Sequence, residues 1–400
     1  MIKLIFTFVS MKTFENTEIA FRSKNDADLN RAFWLFKIIG NPSIVKFGKW
    51  ATNFALSINL PIDPIIKKTI FKQFCGGTTI KDCEQTIQQL SLFKIGTILD
   101  YSVEGKIKEE DFEKTTDEIV ATIERASKDS TIPYAVFKVT GIATFSLLEK
   151  ANSIENDLSE NEKKSFSSIV TRVDRICKAG YENNIPVFID AEESWIQDTI
   201  DRLAQTMMSK YNKNKAIVFN TVQMYRHDRL DFLHRVINES KLNGYYYGVK
   251  LVRGAYMEKE RARALQMNYP SPIQPDKEAT DNDYNKALEL ILENFDHLSL
   301  CAGTHNENSS ILLTDLLEKF NIQKEDKRVY FAQLLGMSDH ISYNLSSEGF
   351  NVAKYVPYGP IKEVLPYLLR RADENTSVAG QTSRELGLLS KEKERRKLNK

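Results

Sequence analysis

Cysteine is scarce in this sequence. Four residues in 400, Cys75, Cys83, Cys177 and Cys301, lie far apart with no CxxC spacing. That argues against a disulfide framework or a zinc site and for a reducing compartment. The five histidines never fall in HExxH spacing, so no metal is expected. Neither sign of charge dominates: Lys and Arg total 55 against 54 Asp and Glu, a net +1. Without a basic field, nucleic acid is not an expected partner. No GxG occurs anywhere, which weakens the case for an open, doubly wound dinucleotide-binding sheet. Long apolar runs are missing too. The stretch from Met1 to Ser10 is well short of the ~18–20 residues a membrane span needs. It also lacks a small-residue cleavage site, so a signal peptide is not expected and Met11 is an alternative start.

What remains is an ordinary globular composition, with 42% apolar and 27% charged residues. Residues 1–95 read as a mainly helical region. Apolar residues recur at helical spacing around Phe33–Phe36 and Trp50–Leu56, interrupted by Pro61, Pro64 and the Gly76-Gly77 turn. From residue 96 the pattern changes. Short β-branched and aromatic runs recur at Thr97–Val103, Tyr134–Thr140, Val187–Ala191, Ala216–Val222, Tyr246–Val252, Leu298–Ala302, Val329–Leu335 and Val352–Pro357. Segments of helical periodicity such as Ser165–Ala179 and Asp283–Phe295 separate them. Eight strands alternating with helices predict a (βα)8 TIM-type barrel over 96–385, an α/β fold. Ala151–Lys164 reads as a loop entering a helix, and the proline-rich 267–277 as an excursion after the fifth strand. Residues 386–400 read as a charged tail. From Lys391 it carries six basic and two acidic residues, a solvated segment with some attraction to anionic lipid.

Catalytic groups of such a barrel sit at the C-terminal strand ends. Here those ends carry Lys138, Asp190 with Glu192, Gln223, Lys250 with Arg253, Thr304-His305-Asn306, and Tyr355. Any one of these is readily a structural ion pair or a satisfied donor. Six polar strand ends of eight are costly to bury unless they bind something. After the eighth strand, Ile361, Val364, Leu365, Leu368 and Ala372 form an apolar stripe, with Tyr367, Arg370, Arg371 and Glu374 on an adjacent face. The spacing fits equally a solvated Glu–Arg face and bidentate capture of a carboxylate.

These motifs, in this order, resemble the proline dehydrogenase family over roughly residues 96–380. They are Asp190-Ala191-Glu192-Glu193, Lys250-Leu251-Val252-Arg253-Gly254-Ala255-Tyr256, Gly303-Thr304-His305-Asn306, Gln333–Met337, Tyr355–Gly359 and Arg370–Asn375. The form Lys-Leu-Val-Arg-Gly-Ala-Tyr looks like the mitochondrial-type branch. The resemblance implies oxidation of L-proline to Δ1-pyrroline-5-carboxylate, by hydride transfer to N5 of a non-covalent FAD, with electrons passing to a quinone. It implies that Arg370 and Arg371 clamp the proline carboxylate near Lys138, with Glu374 steadying the pair. Tyr355, Tyr367 and Leu334 would shape the pocket, and Asp190 is the matching active-site carboxylate. Gln223 and Lys250 would meet the flavin ring, Arg253, Gly254 and Ala255 the pyrophosphate, and Thr304, His305 and Asn306 the adenosine half. Lys250 stands where bacterial members carry Arg, so it keeps the charge and loses the planar fork. The expected location is cytoplasmic, with peripheral contact to the inner face of the membrane suggested by the N-terminal run and the basic tail. Three rivals stay open: a hydroxyproline dehydrogenase, which as a branch carries a smaller residue at the Tyr355 position; a Schiff-base aldolase using Lys138; and a non-catalytic flavin binder.

Overall fold

The protein is described from a computed structural model over residues 13–58, 63–103, 105–153, 158–377 and 381–398. The side chains of 53–57, 65, 372–377 and 381 fall outside that description, as does the N-terminal apolar run. Among the described residues, six α-helices and a π-helical turn (Lys67–Phe71) precede the first strand: α1 (Thr17–Ala20), α2 (Asp26–Ile39), α3 (Pro42–Ser57), α4 (Asp63–Ile66), α5 (Lys72–Phe74) and α6 (Ile80–Ser91). Then come β1 (Ile95–Tyr101), α7 (Glu109–Ser127), β2 (Tyr134–Lys138), α8 (Phe145–Asn152), α9 (Glu160–Glu182), β3 (Val187–Asp190), α10 (Ser194–Tyr211), β4 (Val218–Gln223) and α11 (Arg229–Leu242). The remainder is β5 (Tyr247–Val252), α12 (Met257–Met267), α13 (Lys277–Glu293), β6 (Leu298–Gly303), α14 (Glu307–Lys319), β7 (Val329–Leu334), α15 (Asp339–Ser347), β8 (Val352–Tyr358), α16 (Ile361–Ser377) and α17 (Gln381–Leu398).

The strands pair in parallel in chain order, and β1 meets β8 to close the barrel. The (βα)8 expectation therefore holds, and the doubly wound alternative is excluded. Side-chain alternation sorts the strands into two faces. Outward residues such as Leu99, Ile189, Val249 and Val356 pack under the surrounding helices. Inward residues near the strand starts fill the lumen: the Tyr134 ring stacks on Phe188 at 4.3 Å and meets Tyr330 edge-on at 5.1 Å. Toward the C-terminal ends the inward positions turn polar. The loop before α9 ends in a capping box, Ser159 and Glu162 each satisfying the other's backbone N–H. The excursion after β5 is present as α12 and the segment that follows it, with Ile273 bridging to Arg226.

Two findings modify the expected organisation. Residues before β1 divide between two cores: Leu29, Phe36, Phe71 and Phe74 pack with Val364 and Leu368 of α16 and Leu388 of α17. Cys83, Ile87 and Leu90 of α6 share the barrel's outer core, and Gly77 bridges to Tyr358. The charged C-terminus is no solvated tail. It is the end of α17, which lies on α1 and α2. Three of its basic residues are ion-paired: Glu392, fully buried, takes Arg395 and Arg396 at 2.8 Å, Arg396 also reaches Asp26 at 3.0 Å, and Lys391 reaches Glu15 at 3.2 Å. Local acids thus absorb much of the basic charge that suggested lipid contact. Among the described residues, no helix is long and apolar enough to cross a membrane.

Candidate active site

Asp190 is the centre of the polar lumen. As the last residue of β3 it points inward, two places after Phe188. Oδ1 accepts from Lys250 Nζ of β5 at 2.5 Å and from Thr221 Oγ1 of β4 at 3.3 Å. Oδ2 accepts from the Tyr355 hydroxyl of β8 at 2.7 Å. Lys250 Nζ also lies 4.5 Å from the Tyr355 ring centroid, so the same phenol serves the acid through its oxygen and the cation through its face.

A second acidic layer surrounds Lys138, which is half-buried at the end of β2. Burial pushes the Asp100 carboxyl of β1 up; Lys138 opposes that shift and Asp190 adds to it. Ser102 donates a hydroxyl hydrogen bond to Asp100. Burial drives Glu192 up to about 8 against the pull of Lys138. Its carboxyl accepts the Thr140 backbone N–H at 3.0 Å and pairs with the Thr140 hydroxyl. The Glu192 carbonyl accepts from Gln223 Nε2 at 2.7 Å, which fixes the Gln223 amide.

The β5 and β6 ends form a donor-rich rim. Arg253 is locked by Asp281 at 2.6 Å, Thr304 Oγ1 at 2.6 Å and Ser309 Oγ at 2.9 Å, with its guanidinium 4.3 Å from the Tyr284 ring centroid. Gly254 and Ala255 follow, both exposed. Gly254 has φ +134°, and a β-carbon there would run into the Tyr225 ring. Asn306 caps α14, its Oδ1 accepting from Ser309 N at 3.1 Å. His305 sits 2.9 Å from the Ser338 hydroxyl; burial, helped by Lys354 and Arg371, holds it down at about 3, hence neutral.

α16 covers this end. Arg371 is buried 4.9 Å from the Tyr367 ring centroid, and its charge is felt at His305. Tyr367 is buried and felt electrostatically by Tyr355. Arg370, half-buried, lies 6.0 Å from the Tyr256 ring centroid on the β5 side. Leu334 pairs with Tyr355 across β7 and β8. The Glu374 side chain lies outside the described residues. The other expected site residues all come from the C-terminal ends of the strands, the loops that follow them, or α16. Among the described residues no group of His, Cys, Asp and Glu could hold a metal.

A family model described as proline dehydrogenase matches residues 83–384. The chain belongs to the proline dehydrogenase family. It is an enzyme of that family by relatives as well. It is 32% identical to "Proline dehydrogenase 1, mitochondrial" of Dictyostelium discoideum, over 95% of this chain and 74% of that one. It is 40% identical to the protein of that name from Homo sapiens, over 58% of this chain and 39% of that one. "Hydroxyproline dehydrogenase" of Xenopus laevis is 29% identical over 95% of this chain and 89% of its own. A crystal structure of proline utilization A from Bdellovibrio bacteriovorus superposes with a TM-score of 0.71 at 18% identity. It covers 93% of this chain and 40% of that one, and supports the fold.

Sequence reasoning missed three buried charges around this family site, Asp100, Lys354 and Glu385. Asp100 was legible as the one carboxylate in an apolar strand. Glu192 was noticed but given no role. Lys354 and Glu385 were not legible, because their partners lie on other elements: Lys354 of β8 meets Asp339 of α15, and Glu385 of α17 meets the Ser338 turn before α15. Lys354 Nζ donates to the Met337 carbonyl at 2.6 Å and pairs with Asp339 at 2.9 Å. Glu385 of α17 accepts the Ser338 backbone N–H. Ser338 adopts φ +49° and is the hydroxyl beside His305. The C-terminal helix thus braces the turn at the β6–β7 rim.

Proposed function

We propose that the chain oxidises L-proline to Δ1-pyrroline-5-carboxylate at the C-terminal barrel mouth, with FAD bound there and a quinone as final electron acceptor. The observation that carries the reading is the cluster in which Lys250 and Tyr355 converge on Asp190 beneath α16, the helix that bears Arg370 and Arg371.

In this reading the two guanidinium groups take the substrate carboxylate, a geometry suited to paired N–H donors. Tyr355, Tyr367 and Leu334 form the walls around the pyrrolidine ring and exclude water. Oxidation leaves cationic character on the C–N unit, so the amine must first lose its proton. Lys138, Arg370 and Arg371 favour that loss, because a further cation is disfavoured beside them. Asp190 offsets Lys250 and keeps the lysine stem fixed.

The donor set suits FAD. Gln223 and Lys250 are inward groups that would meet the ring. Arg253, Gly254 and Ala255, with the N-terminus of α14, suit a pyrophosphate. Thr304, His305 and Asn306 would flank the adenosine half. Two buried groups next to that rim, the Tyr225 hydroxyl and Arg226 Nη1, have no hydrogen-bond partner among the described residues, and phosphate oxygens would satisfy such donors. When bound, the flavin supplies a hydride acceptor at N5.

The test is an anaerobic titration of the purified yellow protein with L-proline, following the flavin band. Bleaching by proline supports the reading. A colourless protein, or flavin that proline leaves oxidised, overturns it. The hydroxyproline reading gains from the Xenopus laevis relative. Tyr355, held in place by Asp190, narrows the space for a ring hydroxyl, and faster bleaching by 4-hydroxyproline than by proline would reverse that preference.

A further inference from the structure

The turn between β7 and α15 holds two residues in the left-handed region, Gly336 at φ +75° and Ser338 at φ +49°. Glycine meets that demand at no steric cost; a residue with a β-carbon does not. Ser338 is nevertheless fully buried there. The turn is pinned from three directions. Gln73 Nε2 donates to the Gly336 carbonyl at 2.9 Å, Lys354 Nζ donates to the Met337 carbonyl at 2.6 Å, and the Ser338 backbone N–H donates to the Glu385 carboxylate. Three separate elements, α5, β8 and α17, thus fix three successive residues. Backbone strain that the surroundings over-determine in this way collects at functional positions.

What the strain holds in place is a hydroxyl. Ser338 Oγ lies 2.9 Å from His305 Nδ1. A glycine would take the same φ and lose that contact. Engaging one ring nitrogen sets the orientation and the tautomer of a neutral imidazole, and leaves Nε2 for a ligand. The turn reaches the β6 end by a second route as well. Ser342 Oγ lies between the Ser338 carbonyl, at 3.3 Å, and Gln333 Oε1, at 2.8 Å, and Gln333 Nε2 donates to the Thr304 carbonyl at 3.1 Å. The residue before Glu385 grips the other side. Arg384 pairs at 2.7 Å with Glu307 in the first turn of α14, directly after the Thr304–Asn306 segment.

We infer that Ser338 and Glu385 are positioning residues for the adenosine half of the cofactor: Glu385 holds Ser338 in its left-handed conformation, and the Ser338 hydroxyl aims His305 at that half. The inference rests on the proposed placement of FAD with Thr304, His305 and Asn306 around the adenosine. It adds that α17, a helix outside the barrel, governs how well the barrel mouth distinguishes FAD from FMN, which has no adenosine. The flavin ring is proposed to meet Gln223 and Lys250, on strands that this turn does not touch. A loss at Ser338 should therefore fall on FAD and spare FMN.

The experiment uses the full chain stripped of flavin and titrated with FAD and with FMN, each followed by quenching of flavin fluorescence. Thermal melting of the stripped protein checks that each variant folds. Ser338→Gly removes the hydroxyl, and relief of the backbone strain offsets the lost hydrogen bond, so its melting temperature should stay near the parent's. Its Kd for FAD should rise roughly fivefold, the worth of one hydrogen bond, and its Kd for FMN should change by less than about twofold. Glu385→Ala should weaken FAD binding likewise. Adding it to Ser338→Gly should cost little more, because the two act through one hydroxyl. Where Glu385→Ala does not fold, Ser338→Gly decides the matter alone. An FAD affinity unchanged in Ser338→Gly overturns the inference. So does an equal loss for FAD and FMN, which would make the turn a general support of the barrel mouth. A parent chain that binds neither flavin would instead count against the proposed function, so the two failures are distinguishable.

Discussion

Asp190 and Tyr355 stand on strands that do not neighbour each other, β3 and β8, yet the phenol hydroxyl donates to the carboxylate at 2.7 Å across the lumen. The remaining carboxylate oxygen holds Lys250 at 2.5 Å. A buried acid, a cation and a phenol thus share one position, and each is costly there without the others.

Asp190→Asn should be the most damaging single change in this group. It leaves the Lys250 ammonium buried without its counter-charge, which costs about 3 kcal/mol when one member of a buried pair is removed. Urea unfolding should record a loss of that order, and kcat/KM for proline should fall by more than about a hundredfold. A variant of unchanged stability and activity would contradict the central role of Asp190.

Tyr355→Phe removes only the hydroxyl and keeps the ring under Lys250. Hydrogen bonds to charged groups are worth about 1.5–3 kcal/mol, so a drop in kcat/KM of roughly tenfold or more is expected. Tyr355→Ser should also open the wall. The ratio of 4-hydroxyproline to proline turnover is the measurement, and it should rise.

Arg371→Met should raise the KM for proline by about a hundredfold, the loss of a paired guanidinium–carboxylate contact. The flavin should stay bound, since Arg253 and the β6 end are untouched. A KM equal to that of the parent would remove the clamp.

Glu192 gives a pH signature. Its folded-state pKa is raised from 4.5 to about 8, mainly by burial. A raised carboxyl contributes stability fully below its unfolded value and loses that contribution as pH rises through about 8. Stability should therefore decline between pH 4.5 and 8 by an amount that Glu192→Gln abolishes. The glutamine amide can still meet the Thr140 N–H and hydroxyl. Urea midpoints across that range for both proteins are the check.

Gly254→Ala should fold poorly or lose flavin. The residue needs φ +134°, and the new methyl would meet the Tyr225 ring. Strain of this kind costs about 1–3 kcal/mol before the clash is counted. Flavin content per protein after purification should fall well below that of the parent.

Much of this was legible in the linear chain. Alternation within short strands placed Asp190 beside Phe188 and Lys138 beside Val136 on the inner face, because a strand's side chains repeat every two residues whatever surrounds it. Each expected strand overlaps an observed one, since β-branched runs bounded by polar helices leave few other solutions. Of the apolar stripe of α16, Val364, Leu365 and Leu368 are buried as expected, but Tyr367 and Arg371 of the adjacent face are buried too. Asp100 could have been found by the same reasoning.

Other features had no local signal. Lys354 alternates outward and reads as an ordinary strand lysine until α15 supplies Asp339. Glu385 reads as a surface acid of a charged terminus until Ser338, 47 residues earlier, presents its N–H. The basic C-terminus looked solvated until Glu15 and Asp26 came to it from the other end of the chain. Periodicity, strand order and the identity of the strand-end groups are properties of neighbouring residues, so the sequence determined them by itself. Which charges are neutralised depends on partners brought in from other elements, some of them hundreds of residues away, and only the closed fold decides that.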